Sequence, residues 1–352
     1  MSVFPSRFSV KGQMKKICVP SSGFRKILIV KPSAFGDVIH GLPVLHALSE
    51  SFPEAQIHWV VAKPFAGILE GHPLICRLWV IDKDSWKRPG RLGSTIAELR
   101  GLRRGLRAEK FDLVIDLQGL FRSAMIVYFT GAKENVGFES AREGAKYFYA
   151  HRVKTATELH AVEKNLQIAR FVGCKIATPQ FPLLDFGEPP AFIQGLGSYA
   201  VIAPSAGTAV KRWPAQYFGR LASLLPLPSV IVAGPSDAGL GDEIASLSGG
   251  KALSFAGKTS LGELGAIIKG ARFLVTCDSG PMHLGAALGV PVFALFGPTS
   301  PLRTGPYGDI HTVLRRDLAC SPCYTRKVCP DWRCMRDLSP ERVLEAIHSK
   351  GF

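Results

Sequence analysis

The sequence predicts an α/β protein with two doubly wound domains that face a central cleft. From residue 25 onward, short runs of β-branched residues alternate with segments of helical periodicity, as in parallel βαβ units. The alternation stops at residues 187–198, a stretch rich in glycine and proline that is typical of a linker, and then begins again. A chain of 352 residues has room for two such domains.

The first domain is predicted to span residues 25–186. Its strands are expected at residues 26–31, 57–62, 77–82 and 111–116. Helices are expected to begin near Gly41, Pro64, Ser94 and Gly119, and a further helix is expected at residues 158–172. Residues 1–24 form a polar and basic N-terminal extension without the continuous apolar segment of a signal peptide.

The second domain is predicted to span residues 199–338, with strands at residues 199–204, 229–234, 271–278 and 290–297. Its helices are expected at residues 214–225, 261–269 and 281–288, and residues 339–352 form a final helix with Pro340 in its first turn. Ligands of such sheets bind beyond the carboxyl ends of the strands. The candidate site loops are therefore residues 32–37, 118–122, 205–213 and 278–283.

The charge balance favours an anionic partner. The chain has 43 Lys and Arg against 28 Asp and Glu, a net charge of +15. The densest basic segment, residues 82–110, contains a helical pattern of leucines with arginines around it. Such a helix is either a solvated face or a surface that lies against anionic lipid headgroups. No segment approaches the ~18 apolar residues of a membrane span, so we expect a cytoplasmic protein in peripheral contact with an anionic membrane.

A nucleic-acid-binding protein is a remote alternative. Such proteins interleave aromatic residues with basic ones for base stacking, but residues 83–110 contain Trp86 alone. We therefore expect no nucleic-acid partner. No GxGxxG follows a strand, and residues 252–260 imitate a phosphate-binding loop with Ala252 where the first glycine belongs.

The segment after the predicted strand 271–278 has the features of a diphosphate site. Asp278 ends the strand, Ser279 and Gly280 form a turn, and His283 follows in the first turn of a helix. Free amides at a helix N-terminus bind phosphate groups. The alternative is that Asp278 or Ser279 merely caps the helix. Lys211, just before another helix, either neutralises a departing phosphate or lies on the surface.

Four of the eight cysteines are clustered, as Cys320-x₂-Cys323-x₅-Cys329-x₄-Cys334. Their density would suit a tetrahedral metal. Against this, the gaps differ from those of common zinc modules, and the prolines between them favour a compact loop. Both interpretations stay open, and no metal site is included among the predicted functional residues.

Several motifs occur in the order seen in one enzyme family. They are VKPSAFGDVIHGLP, DLQGLFRSA, SAREGAKYFY, KRWP and CDSGPMHLGAALGVPVFALFGPTSP. In these motifs the chain resembles glycosyltransferase family 9, from about Lys26 to the final helix. The resemblance implies the GT-B fold, in which the first of two Rossmann-like domains binds the acceptor and the second binds the sugar nucleotide. It also implies that the final helix can pack on the first domain.

The resemblance further implies the reaction. Inverting heptosyltransferases of this family move heptose from ADP-heptose onto the Kdo–lipid A inner core of lipopolysaccharide. A different acceptor or nucleotide sugar is the alternative within the family. We expect a monomer. We also expect that the enzyme needs no cofactor, because a cation and a helix dipole can take the place of Mg²⁺.

The resemblance also assigns residues to roles. Asp37 corresponds to the catalytic base, although a helix cap is the alternative for this carboxylate. Lys211, Asp278, Ser279, Gly280 and His283 correspond to the diphosphate site of the donor. The candidates for binding an anionic acceptor are Gln118, Arg122, Arg88 and Arg142, because guanidinium groups suit carboxylates and phosphates.

Overall fold

A computed structural model of the chain describes residues 17, 19, 23–83, 90 and 92–352. The chain divides into two compact units, Met1–Leu184 and Asp185–Phe352. Each unit contains one six-stranded sheet in which the paired strands are parallel. The predicted α/β class with two doubly wound domains is confirmed.

The first unit alternates strands and helices. Its strands are β1 (Lys26–Val30), β2 (Gln56–Ala62), β3 (Arg77–Ile81), β4 (Leu113–Asp116), β5 (Asn135–Phe138) and β6 (His151–Val153). Its helices are α1 (Phe35–Ile39), α2 (Leu42–Ser51), α3 (Leu92–Ala108), α4 (Phe121–Thr130) and α5 (Ala161–Phe171), with 3₁₀ turns at Lys63–Ile68 and Ala145–Phe148. The strand order is β3-β2-β1-β4-β5-β6.

The second unit repeats this plan. Its strands are β7 (Ala200–Ala203), β8 (Ser229–Ile231), β9 (Ala252–Ser254), β10 (Leu274–Cys277), β11 (Val292–Phe296) and β12 (Thr312–Arg315). Its helices are α6 (Ala191–Gln194), α7 (Ala215–Leu224), α8 (Ala238–Leu247), α9 (Leu261–Lys269), α10 (Gly280–Ala287), α11 (Pro301–Thr304), α12 (Arg333–Arg336) and α13 (Pro340–His348). The strand order is β12-β11-β10-β7-β8-β9.

Both sheets therefore have the same order once their strands are numbered within the unit. The chain starts in the middle of each sheet, builds three strands toward one edge and then three toward the other. The reversal leaves a crevice at the carboxyl ends of two neighbouring strands, which is where doubly wound folds bind ligands. These strands are β1 and β4 in the first unit, and β7 and β10 in the second.

The central strands are buried on both faces because helices cover the sheets. All four residues of β4, β7 and β10 are buried, as is expected for parallel strands rich in apolar residues. Each unit has its own apolar core, with Trp79 and Leu106 in the first and Trp213 and Phe218 in the second. No helix in the described part of the chain is both long and apolar enough to cross a membrane.

Residues 187–198, expected as a linker, belong to the second unit and include α6. Phe192 of this segment stacks on Phe255, with ring centroids 4.2 Å apart. The final helix, α13, belongs to the second unit. It packs on α7, and Val343 and Ile347 are buried in the second core. Ser339 caps it by accepting a hydrogen bond from the amide of Arg342.

Candidate active site

In the second unit, a lysine, a carboxylate and a hydroxyl meet at the carboxyl ends of three neighbouring strands. Asp278 follows β10, Lys211 ends a 3₁₀ turn after β7, and Thr299 follows β11. Lys211 Nζ lies 2.6 Å from Asp278 Oδ2, and Thr299 Oγ1 donates to the same oxygen at 2.7 Å. The Asp278 side chain is nearly buried, whereas a quarter of the Lys211 side chain is exposed. The Lys211 ammonium group is therefore held in place by Asp278 and is still accessible to an anion.

Helix α10 begins directly beside this group. Ser279 is its N-cap in extended conformation and makes no side-chain bond to the helix. Its hydroxyl lies 3.3 Å from Thr276 Oγ1. Ser279 therefore occupies the N-cap position, but its hydroxyl contacts Thr276 rather than the amides of the helix. Pro281 lies in the first turn and His283 is buried. The amides at the start of α10 and the helix dipole make this end of the helix suitable for a phosphate group.

Residues 205–213, which contain Lys211, provide further polar atoms. Among the described residues, Ser205 Oγ and Thr208 Oγ1 are buried and have no hydrogen-bond partner. Buried polar atoms are nearly always paired, so these two hydroxyls are candidate hydrogen-bond partners for a bound substrate. Trp213 holds this loop in place, because its indole Nε1 donates to the Leu338 carbonyl at 2.8 Å and its amide donates to Cys277 Sγ.

In the first unit, Asp37 is the third residue of α1, just beyond β1. Its Oδ2 accepts a hydrogen bond from the Ala34 amide at 3.0 Å, so one oxygen helps to cap α1, although Ala34 rather than Asp37 is the N-cap residue. The other oxygen, Oδ1, lies 3.6 Å from Nζ of Lys31. Lys31 is buried and donates to the Leu117 carbonyl at 2.8 Å. The Asp37 side chain is 47% exposed, so its carboxylate is oriented by the protein and accessible to a ligand.

Gln118 lies next to this loop, just beyond β4. Its Oε1 accepts from the Ser33 amide at 3.2 Å. The structure thus brings the Asp37 loop and Gln118 together where the strand order reverses. Arg122, the second residue of α4, and Arg142 are both exposed. The Arg142 amide donates to the Gly119 carbonyl at 2.9 Å, which places its backbone beside Gln118. Arg88 lies outside the described residues.

A buried network supports Gln118. Asp116, at the end of β4, is fully buried. Its Oδ1 accepts from the amides of Gln118 and Gly119 at 2.8 and 3.1 Å, and its Oδ2 accepts from Tyr149 Oη at 2.7 Å. Burial raises the pKa of Asp116, while these hydrogen bonds oppose the rise. Burial, together with the negative charge of Asp116, raises the pKa of Tyr149.

Five polar residues of these sites were not predicted from the sequence, namely Asp116, Tyr149, Thr299, Ser205 and Thr208. The available signals were an acid at the end of an apolar strand and hydroxyls in loops that follow strands. Their partners come from other strands, so the sheet order was needed to recognise them.

The clustered cysteines do not form a metal site in this structure. Within the described ranges, no three His, Cys, Asp or Glu side chains are arranged to hold a metal ion. Cys320, Cys323, Cys329 and Cys334 are free thiols. Burial raises the pKa of Cys334, and the three neighbouring thiols add to the effect.

Two doubly wound units of one strand order, each with polar loops where that order reverses, define a GT-B glycosyltransferase architecture. The solved structure of Escherichia coli heptosyltransferase WaaC with ADP has a TM-score of 0.77 and 27% identity, covering 93% of this chain and 100% of that one. The profile of glycosyltransferase family 9 (heptosyltransferase) matches residues 99–331. The chain therefore belongs to glycosyltransferase family 9, as its motifs predicted.

Two of the relatives of this chain are each a lipopolysaccharide heptosyltransferase 1. That of Pseudomonas aeruginosa is 33% identical over 318 residues, which covers 86% of this chain and 87% of the relative. That of Escherichia coli K12 is 33% identical over 300 residues, which covers 82% of this chain and 93% of the relative. The similarity thus extends over nearly the whole of both relatives.

Proposed function

We propose that this glycosyltransferase moves heptose from ADP-heptose to Kdo of the lipopolysaccharide inner core, with inversion at the anomeric carbon. The observation that carries the proposal is the ion pair between Lys211 and Asp278 where the strand order of the second sheet reverses. It occurs in a chain that is 33% identical to lipopolysaccharide heptosyltransferases 1. The related WaaC has been solved with ADP and with ADP-2-deoxy-2-fluoro heptose, which supports the same donor here.

The second unit binds the donor diphosphate in this proposal. The Lys211 ammonium, held by Asp278, and the amides at Ser279 and Gly280 receive the phosphate oxygens, and His283 belongs to the same site. As the bond to the sugar breaks, negative charge grows on the leaving ADP. A fixed cation and a helix N-terminus stabilise that charge, because neither has to reorganise during the reaction. The proposed reaction therefore requires no metal ion or other cofactor.

The first unit supplies the base. Asp37 accepts the proton of the acceptor hydroxyl as that oxygen attacks the anomeric carbon. The carbon–oxygen bond to the diphosphate breaks in the same displacement, and ADP departs with the bonding electrons. A single displacement inverts the anomeric centre. The Ala34 amide and Lys31 hold the carboxylate in one orientation, and a base positioned in this way contributes about 10²–10⁴-fold to the rate.

The acceptor is lipid-anchored and anionic. We assign its binding to Gln118, Arg122, Arg142 and Arg88, since guanidinium groups form paired hydrogen bonds with carboxylates and phosphates. The net charge of +15 suits such an acceptor. We further propose that the enzyme is a monomer that works at the cytoplasmic face of the inner membrane, as a peripheral protein without a nucleic-acid partner.

The test is a donor and acceptor screen with the full-length chain. We expect ADP-heptose and Kdo–lipid A to give a product one heptose heavier, detected by mass spectrometry. Other nucleotide sugars and an acceptor that already carries the first heptose should give little product. Preference for the heptosylated acceptor would contradict the proposed acceptor and favour a heptosyltransferase II activity.

A further inference from the structure

We propose that α3, α4 and the 3₁₀ turn Ala145–Phe148 form the surface by which this chain binds an anionic lipid membrane. Helix α4 packs against both of the other elements, so the three are contiguous. We call their exposed side the α4 surface. The inference rests on the proposed function in one respect, because membrane binding would bring the enzyme to its lipid-anchored acceptor.

Exposed aromatic rings mark the α4 surface. Phe121 and Tyr128 are 45% and 59% exposed, and they lie two turns apart on α4. Both pack edge-on against Phe148, with ring centroids 5.8 and 6.3 Å away. Tyr147, beside Phe148, is 75% exposed. Three large rings are therefore exposed around Phe148. Tyrosine rings of this kind are enriched where proteins meet lipid headgroups.

The three elements of the α4 surface are rich in positive charge. The three elements carry one acidic side chain, Glu98, and six basic ones, which are Arg100, Arg103, Arg104, Arg107, Arg122 and Lys146. Lys146 Nζ lies 5.3 Å from the centre of the Tyr147 ring. Glu143, in the preceding loop, accepts a hydrogen bond from the Phe121 amide and so caps α4. A cationic and aromatic surface complements a negatively charged bilayer.

Two structural explanations account for only part of this surface. The Arg107 guanidinium lies against Gly131 at the end of α4, where a cation stabilises the helix dipole. That explains Arg107 but not the exposed pair Arg103 and Arg104. The second explanation is a dimer in which two copies of the chain pair through the α4 surface and so bury the rings. A symmetric pair would set one cationic surface against another, and like charges repel. An anionic membrane is the occupant that satisfies both the rings and the cations.

The experiment measures binding of the full-length chain to vesicles by co-sedimentation. The vesicles contain phosphatidylcholine with or without phosphatidylglycerol, and no acceptor lipid. One variant combines Tyr128→Ser with Tyr147→Ser, and another combines Arg103→Gln with Arg104→Gln. We expect binding to the anionic vesicles that weakens with salt. Each lost arginine should weaken it about fivefold, and loss of the two tyrosines should weaken it at least about tenfold.

Matched controls come from the second unit. Tyr324 is 44% exposed with Arg303 5.1 Å from its ring centre, much as Lys146 lies over Tyr147. Arg326 and Lys327 are adjacent and exposed, like the arginine pair of α3. Tyr324→Ser and the double variant Arg326→Gln with Lys327→Gln should bind vesicles as the unaltered chain does. All variants should keep the unaltered circular dichroism spectrum and turn over a water-soluble Kdo acceptor normally.

Each of three results would overturn the inference. They are equal binding to neutral vesicles, unchanged binding by the α4 surface variants, and a dimer or a polynucleotide complex that those variants abolish. Failure of the proposed function is distinguishable, since it would show as absence of heptose transfer to the soluble acceptor while vesicle binding persists. Unchanged vesicle binding by the variants together with normal transfer would instead reject the surface alone.

Discussion

The hydrogen bond between Tyr149 and Asp116 gives the sharpest stability prediction. Tyr149→Phe removes one hydroxyl and leaves the ring, which fills the space beside Gly137. The lost bond is 2.7 Å long, and its acceptor is a fully buried carboxylate. Leaving that carboxylate short of a donor should therefore cost more than losing an ordinary hydrogen bond.

The magnitude follows from the burial of the acceptor. A buried acceptor that loses its donor costs about 1–3 kcal/mol, whereas a typical hydrogen bond contributes about 0.5–1.5 kcal/mol. We expect Tyr149→Phe to lower the free energy of unfolding by about 2 kcal/mol. For a unit of this size, that corresponds to a fall in Tm of about 4–8 °C. The matched control is Tyr199→Phe, since the buried Tyr199 Oη donates to the neutral Ile267 carbonyl at 2.8 Å.

Urea unfolding and calorimetry of both variants provide the assay. The Gln118 amide donates to the same Asp116 carboxyl group, and Gln118 is assigned to acceptor binding. Tyr149→Phe should therefore also raise KM for the acceptor and leave KM for ADP-heptose unchanged. Tyr199→Phe should change neither constant. The reasoning is refuted if Tyr149→Phe costs no more stability than Tyr199→Phe, or if KM rises for the donor instead.

Three further predictions concern single positions. Lys211→Gln should lower kcat/KM by about 10²–10³-fold in steady-state kinetics, because it removes a fixed cation beside the leaving group. The control Lys258→Gln changes an exposed lysine and should have no effect. Equal effects of the two substitutions would contradict the role assigned to Lys211. Burial lowers the pKa of His311 from 6.5 to about 4, so the unfolded chain binds a proton in this interval that the folded chain does not. The free energy of unfolding should then fall by about 3 kcal/mol as the pH drops from 6.5 to 4, as measured by urea titrations. An equally large fall in the His311→Gln variant would show that His311 is not the cause. Gly137→Ala should destabilise the first unit by about 1–3 kcal/mol, because a Cβ there would lie 2.4 Å from the Tyr149 ring; unfolding curves that match those of the unaltered chain would exclude this clash.

The repeated βαβ plan could be predicted because each central strand is a continuous apolar run. Four further strands escaped prediction, namely β5, β6, β9 and β12. They have three or four residues each, and several contain polar or charged positions, as in HRV of β6 and ALS of β9. Such short segments are strands because a neighbouring strand offers them hydrogen bonds, which their own composition does not reveal.

The candidate site divides in the same way. Lys211 and Asp278 could be chosen because each belongs to a loop that follows a strand, and the structure joins them. Thr299 was missed because its role depends on β11 lying beside β10. The packing of α13 on α7 was likewise hidden, since an amphipathic helix shows which of its faces is apolar but not which surface it covers.

The most direct test of the account compares the unaltered chain with Asp37→Asn for heptose transfer from ADP-heptose to Kdo–lipid A. Asp242→Asn, an exposed carboxylate on α8, is the control. We predict a heptosylated product from the unaltered chain and from Asp242→Asn, and a rate at least about 10²-fold lower for a folded Asp37→Asn. Absence of product from the unaltered chain would contradict the proposed activity, and full activity in Asp37→Asn would contradict the proposed base.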